Sequence, residues 1–105
     1  TFVLQTENGL IGCITSLQNG RLNFDKMKQL FGFRKLKMAD RKAVKSQTGY
    51  HAGTIPLVGL GLTCLFDKKL LELDYVYGGT GNELQTLKIP PSELLKVNEI
   101  IGMFD

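Results

Sequence analysis

The feature that most constrains this chain is the run from Ser46 to Phe66, twenty-one residues without one Asp, Glu, Lys or Arg. Four glycines and Pro56 fall inside it, which opposes one continuous helix or strand. Ser46, Gln47, Thr48 and His51 interrupt its apolar character, and no run of about eighteen apolar residues occurs anywhere, so a membrane span is not expected. Its middle, Thr48 to Gly59, carries the sole histidine and a tyrosine among apolar neighbours. Two readings follow. The segment is either a shaped surface that grips a small polar ligand through main-chain N–H and C=O groups, or a buried connection leading into a core strand.

Charge is distributed unevenly around it. Between Arg21 and Lys45 nine basic residues face only Asp25 and Asp40, a balance of +7; the remaining four basic and eight acidic residues give −4, which together make the net +3. Such polarity suits a polyanionic partner, since Lys and Arg gain affinity at phosphates by releasing counterions, while a merely solvated face is the alternative. No recognition helix or zinc-finger pattern points to DNA. Cys13 and Cys64 lie in apolar stretches without Cys-x-x-Cys spacing, so buried, reduced thiols and no metal site are expected. With 105 residues and 43% hydrophobic content the chain has material for one core and one domain. No segment resembles a signal peptide and the opening Thr1-Phe2-Val3-Leu4 is already strand-like; a cytoplasmic location and a truncated start are the expectations.

The periodicities are short and mixed. Thr1 to Gln5 and Leu10 to Thr15 flank Glu7-Asn8-Gly9 and predict an antiparallel hairpin. Phe24, Met27, Leu30 and Phe31 recur at helical spacing, with Asn23 or Asp25 as cap and Gly32 as stop. Phe33 to Met38 alternates as a strand, and Asp40 caps a short helix ending before Gly49. Leu62 to Phe66 reads as a central strand, and Leu70 to Leu73 as a short, helix-compatible apolar segment. Tyr75-Val76-Tyr77 reads as a strand, Gly78 to Asn82 as a second glycine-rich turn, and Leu84 to Ile89 as another strand. Pro90-Pro91-Ser92-Glu93 opens a last helix. Ile100 to Phe104 fits either helix or strand. The expected architecture is α+β: one domain around a mixed, mostly antiparallel sheet flanked by short helices.

Several of these segments together resemble a known family. They are the hairpin from Thr1, the helix Phe24 to Gly32, Lys37-Met38-Ala39-Asp40 leading into Thr48-Gly49-Tyr50, the loop Gly53 to Gly59, and Tyr75-Val76-Tyr77-Gly78-Gly79-Thr80-Gly81 followed by Leu87 to Leu94. In order and spacing they resemble the YbaK-like editing domains, the aminoacyl-tRNA deacylases associated with prolyl-tRNA synthetase. The resemblance spans nearly the whole chain, residues 1–105 reading as one such domain short of the family's N-terminal segment. It implies hydrolysis of the ester joining a wrong amino acid, alanine or cysteine, to tRNA for proline. No cofactor is implied, and the partners are the tRNA acceptor end and prolyl-tRNA synthetase, with no membrane and no DNA.

The resemblance also assigns roles. The family's glycine-proline loop positions the ester by backbone contacts, which places Gly53 and Thr54 as main-chain donors or acceptors. Tyr50, His51, Ile55 and Pro56 would line the substrate, with core packing as the alternative for the apolar ones and a structural hydrogen bond as the alternative for His51. Gly78, Gly79 and Gly81 would let the terminal adenosine approach the backbone. Lys37, Arg41, Lys42 and Lys45 would meet the acceptor stem. Two departures stand out. The family's lysine falls just before the position of Thr1, and Leu57 stands where the family has proline, with an amide that a proline would lack. A binding module of the same fold, recognising tRNA or a synthetase without turnover, is the alternative function; a structural or regulatory domain with no RNA role is a third.

Overall fold

The computed structural model describes residues 1–15, 22–51, 55–80 and 85–104. Strands β1 (Phe2–Thr6) and β2 (Gly9–Ile14) form the expected antiparallel hairpin, with Thr6 paired to Gly9 across Glu7-Asn8. The turn therefore sits one residue before Asn-Gly. Thr6 closes it, its hydroxyl donating to the Gly9 carbonyl at 2.9 Å and accepting from the Asn8 amide at 3.1 Å.

Helix α1 (Phe24–Phe31) is capped by Asn23, whose side chain accepts from the Lys26 amide at 3.0 Å, and ends at Gly32 in the left-handed region. The following strand is shorter than the alternation predicts: β3 covers only Leu36–Met38. The reason lies far away in sequence. The Arg34 and Lys35 amides donate to the Glu7 carboxylate at 2.8 and 3.4 Å, so this backbone is claimed by a side chain before strand pairing begins. Helix α2 (Arg41–Thr48) is capped by Asp40 and stopped by Gly49.

β4 (Cys64–Asp67) is a central strand, flanked by β2 and β7 and buried at all four positions. Asp67 is buried at its end, where its carboxylate accepts from the Thr15 hydroxyl at 2.7 Å and the Lys69 amide at 3.0 Å, capping a 3₁₀ turn over Lys68–Glu72. Then come β5 (Val76–Gly79), β6 (Thr86–Ile89), α3 (Pro91–Val97) with Pro91 in its first turn, and β7 (Ile100–Phe104). The C-terminal segment is thus a strand.

The main sheet has the order β3-β1-β2-β4-β7, and β5 and β6 form a separate two-stranded ribbon. Among the described residues three of the five strand pairings are antiparallel; β2–β4 and β4–β7 are parallel. The alternation of side chains sorts the core into two faces. Leu4, Ile11, Cys13 and Leu65 pack with Met27 of α1, joined by Phe31 and Phe33. On the other face Val3 and Leu10 pack with Val44 of α2, Ile55 and Leu60, while Ile14, Cys64 and Phe66 pack with Leu57, Val76 of the ribbon and Leu94 of α3. Both faces are covered, which explains the near-continuous apolar runs of β2 and β4. No helix among the described residues is long and apolar enough to cross a membrane.

Candidate functional site

The uncharged segment enters its loop under tight control. At the end of α2 the Thr48 hydroxyl donates to the Val44 carbonyl at 2.6 Å and accepts from the Tyr50 amide at 3.1 Å, while the Lys45 ammonium donates to the Gly49 carbonyl at 2.9 Å. Tyr50 is half-buried against the cluster of Val3, Leu10, Val44, Ile55 and Leu60, and His51 is exposed. Gly53 and Thr54 lie outside the described residues, as does Gly81.

From Ile55 the chain is buried for three residues and meets the ribbon backbone to backbone. Pro56 bridges Gly79 in parallel, and the Leu57 amide donates to the Gly79 carbonyl at 2.9 Å. Asn98, just past α3, fixes the other main-chain group of the same residue: its side-chain amide donates to the Leu57 carbonyl at 2.8 Å and to the Leu94 carbonyl at 3.1 Å. The approach leaves no room for side chains at the end of β5, at Gly78 and Gly79. A Cβ on Gly79 would lie 2.4 Å from the Ile55 carbonyl oxygen, and one on Gly78 would lie 2.7 Å from the Leu57 side chain. The two glycine-rich segments of the sequence are therefore two sides of one junction built from main chain.

Two expectations change here. Gly78 and Gly79 do not belong to a turn; they are the last residues of β5, paired with Leu87 and Thr86, where a Cβ would meet the Leu57 side chain at Gly78 and the crossing Ile55 backbone at Gly79. The Leu57 amide, which proline would lack, is used: it makes the hydrogen bond that ties the loop to the ribbon. Ile55, Pro56 and Leu57 are all buried, and the segment meets the ribbon through its backbone. Asn98 escaped the sequence reading altogether. Its signal was a lone amide side chain directly after a helix, flanked by apolar Leu94, Leu95, Ile100 and Ile101.

The thiols have no nucleophilic character. Burial pushes Cys13 up to about 12 and also raises Cys64, so both are protonated at neutral pH. Among the described residues no group of His, Cys, Asp and Glu could hold a metal ion. The basic residues stand elsewhere on the surface: Lys37 on β3 and Arg41, Lys42 and Lys45 on α2 are all exposed. Among the described residues none of the four is ion-paired to a carboxylate.

A mixed α/β domain whose two glycine segments join through main chain, with an exposed basic helix elsewhere on its surface, is a fold with established relatives. The sequence profile of the aminoacyl-tRNA editing domain family matches residues 1–97, and the chain belongs to that family. Among solved structures it is similar to a scaffold protein used for computational grafting of linear epitopes, at 30% identity and a TM-score of 0.81 over 96% of this chain and 66% of that one. It is also similar to a hypothetical protein at 28% identity and a TM-score of 0.84, covering 98% and 69% of the two chains. A third is a candidate trans-editing enzyme for prolyl-tRNA synthetase, at 28% identity and a TM-score of 0.81, covering 96% and 64%. The chain thus spans about two thirds of the length of these structures.

Proposed function

We propose that this chain is an aminoacyl-tRNA deacylase that hydrolyses the ester of mischarged tRNA, with alanyl- or cysteinyl-tRNA for proline as substrates. The observation that carries this reading is the family match over residues 1–97, which includes the whole Pro56–Gly79 junction. In the reaction the oxygen of a water adds to the ester carbonyl, the tetrahedral intermediate collapses, and the terminal ribose oxygen leaves with a proton. The chain's own part is to hold the ester and the developing oxyanion. Main-chain N–H groups at Gly53 and Thr54 would serve the oxyanion, a contribution of about 3 kcal/mol per donor in acyl transfer. The Leu57–Gly79 and Asn98–Leu57 hydrogen bonds would fix the segment from Ile55 to Leu57 against the ribbon beside the bound ester.

A hydroxyl of the tRNA would help activate the water, as the family resemblance implies, and His51 needs no catalytic role. Lys37, Arg41 and Lys42 would meet the acceptor stem, and prolyl-tRNA synthetase would deliver the substrate. Discrimination would rest on the volume beside Tyr50, since one methylene is worth only about 1–3 kcal/mol. The test is deacylation of a panel of mischarged tRNAs, including alanyl- and cysteinyl-tRNA for proline. Hydrolysis of at least one well above its spontaneous rate is expected. Stable association with tRNA but no turnover on any member would instead assign the binding-module function.

A further inference from the structure

The outer face of the β5–β6 ribbon carries two tyrosines that neither the core nor the junction uses. Tyr75 is 45% exposed and Tyr77 65% exposed, whereas Val76 between them is buried. Tyr77 is paired with Lys88, and the Lys88 ammonium sits 4.3 Å from the centroid of the Tyr75 ring. Side chains alternate along a strand, so Tyr75, Tyr77 and Lys88 share one face while Val76, Leu87 and Ile89 turn to the core. Neither tyrosine hydroxyl has a hydrogen-bond partner among the described residues. The same strand runs two residues on to Gly79, whose carbonyl holds Leu57. The platform is thus continuous with the candidate site.

We infer that this face is a stacking platform for the unpaired 3′ end of tRNA, taking one or two bases on Tyr75 and Tyr77 with Lys88 at the adjoining phosphate. The inference rests on the editing function proposed above. Exposed aromatic rings beside one cation suit bases that stack without sequence readout, and every base offers a π-face. The charges distinguish this surface from the basic helix. Asp74 is exposed next to Tyr75 and Lys88 is the cation at the rings, so the ribbon attracts bases rather than tracking a phosphate backbone.

The experiment compares a hairpin RNA carrying a four-nucleotide unpaired 3′ tail with the same hairpin made blunt, titrating wild type and the double variant Tyr75→Ala/Tyr77→Ala. Wild type is expected to prefer the tailed hairpin, and the double variant to bind it about five- to a hundredfold more weakly, near the level of the blunt one. Tyr75→Phe/Tyr77→Phe should keep wild-type binding, since phenyl rings stack as well, and all three proteins should melt alike because these rings are outside the core. A double alanine variant that binds the tailed hairpin as tightly as wild type, while still deacylating mischarged tRNA, would overturn the platform and leave the editing function standing. Loss of association with prolyl-tRNA synthetase but not with the tailed hairpin would also overturn it, assigning the face to protein docking. Wild type that neither prefers the tail nor deacylates any substrate would remove both.

Discussion

Gly79 and Leu57 tie the two glycine segments together, and single substitutions there test whether the junction matters. In Gly79→Ala the new methyl meets the Ile55 carbonyl oxygen at 2.4 Å, and backbone must move. We expect destabilisation of about 1–3 kcal/mol by chemical denaturation and a larger fractional loss of deacylation than of tRNA binding. Leu57→Pro, which installs the residue typical of the family, should not help. It removes the donor to Gly79 and a side chain only 3% exposed, so we expect a loss of more than about 2 kcal/mol. Asn98→Ala removes the donor to the Leu57 carbonyl, while the Leu94 carbonyl keeps the backbone amide of residue 98; the change should cost about 1–3 kcal/mol, with kcat falling more than KM rises. A wild-type kcat in a folded Asn98→Ala protein would show that the clamp does not position the loop.

Among the elements, α2 is where the proposed function makes stability and tRNA recognition testable together. Removing its cap in Asp40→Ala should cost about 1 kcal/mol, measured by the denaturation midpoint. Neutralising Lys37, Arg41 or Lys42 should weaken tRNA binding and reduce the slope of log affinity against log salt by roughly one each. Lys45 should contribute less, because its ammonium already serves the Gly49 carbonyl. Unchanged salt dependence would place the acceptor stem elsewhere. The elements legible in the sequence were those set by adjacent chemistry: Asn23, Asp40, Gly32 and Gly49 bound two helices from within a few residues. What was not legible depends on distant partners. β3 starts late because Glu7 takes the Arg34 and Lys35 amides, and β5 runs through Gly78-Gly79 because Ile55 to Leu57 cross it. The candidate site was legible as two glycine-rich segments, whereas their mutual contact and the Asn98 clamp exist only in three dimensions.

At the scale of the whole molecule, both faces of the sheet are covered and the two thiols sit inside it. A thiol raised by burial keeps its proton when folded and loses it more readily when unfolded. Its contribution is therefore complete below the ordinary thiol value near 9 and is lost as pH rises towards about 12 for Cys13. Unfolding free energy should fall above roughly pH 9, and Cys13→Ser should flatten that fall; a flat profile in wild type would contradict the burial. Glu7 works at the other end. Backbone amides, Arg34 first, hold its carboxyl below the usual 4.5, so whatever it contributes is present at neutral pH and lost on acidification through the lowered value. The family match is the ground for proposing mischarged tRNA as the substrate. The most direct measurement is the rate at which the folded protein releases the amino acid from alanyl- and cysteinyl-tRNA for proline. The account predicts release well above the spontaneous rate for at least one, diminished in Gly79→Ala; release at the spontaneous rate from every tRNA tested would contradict it.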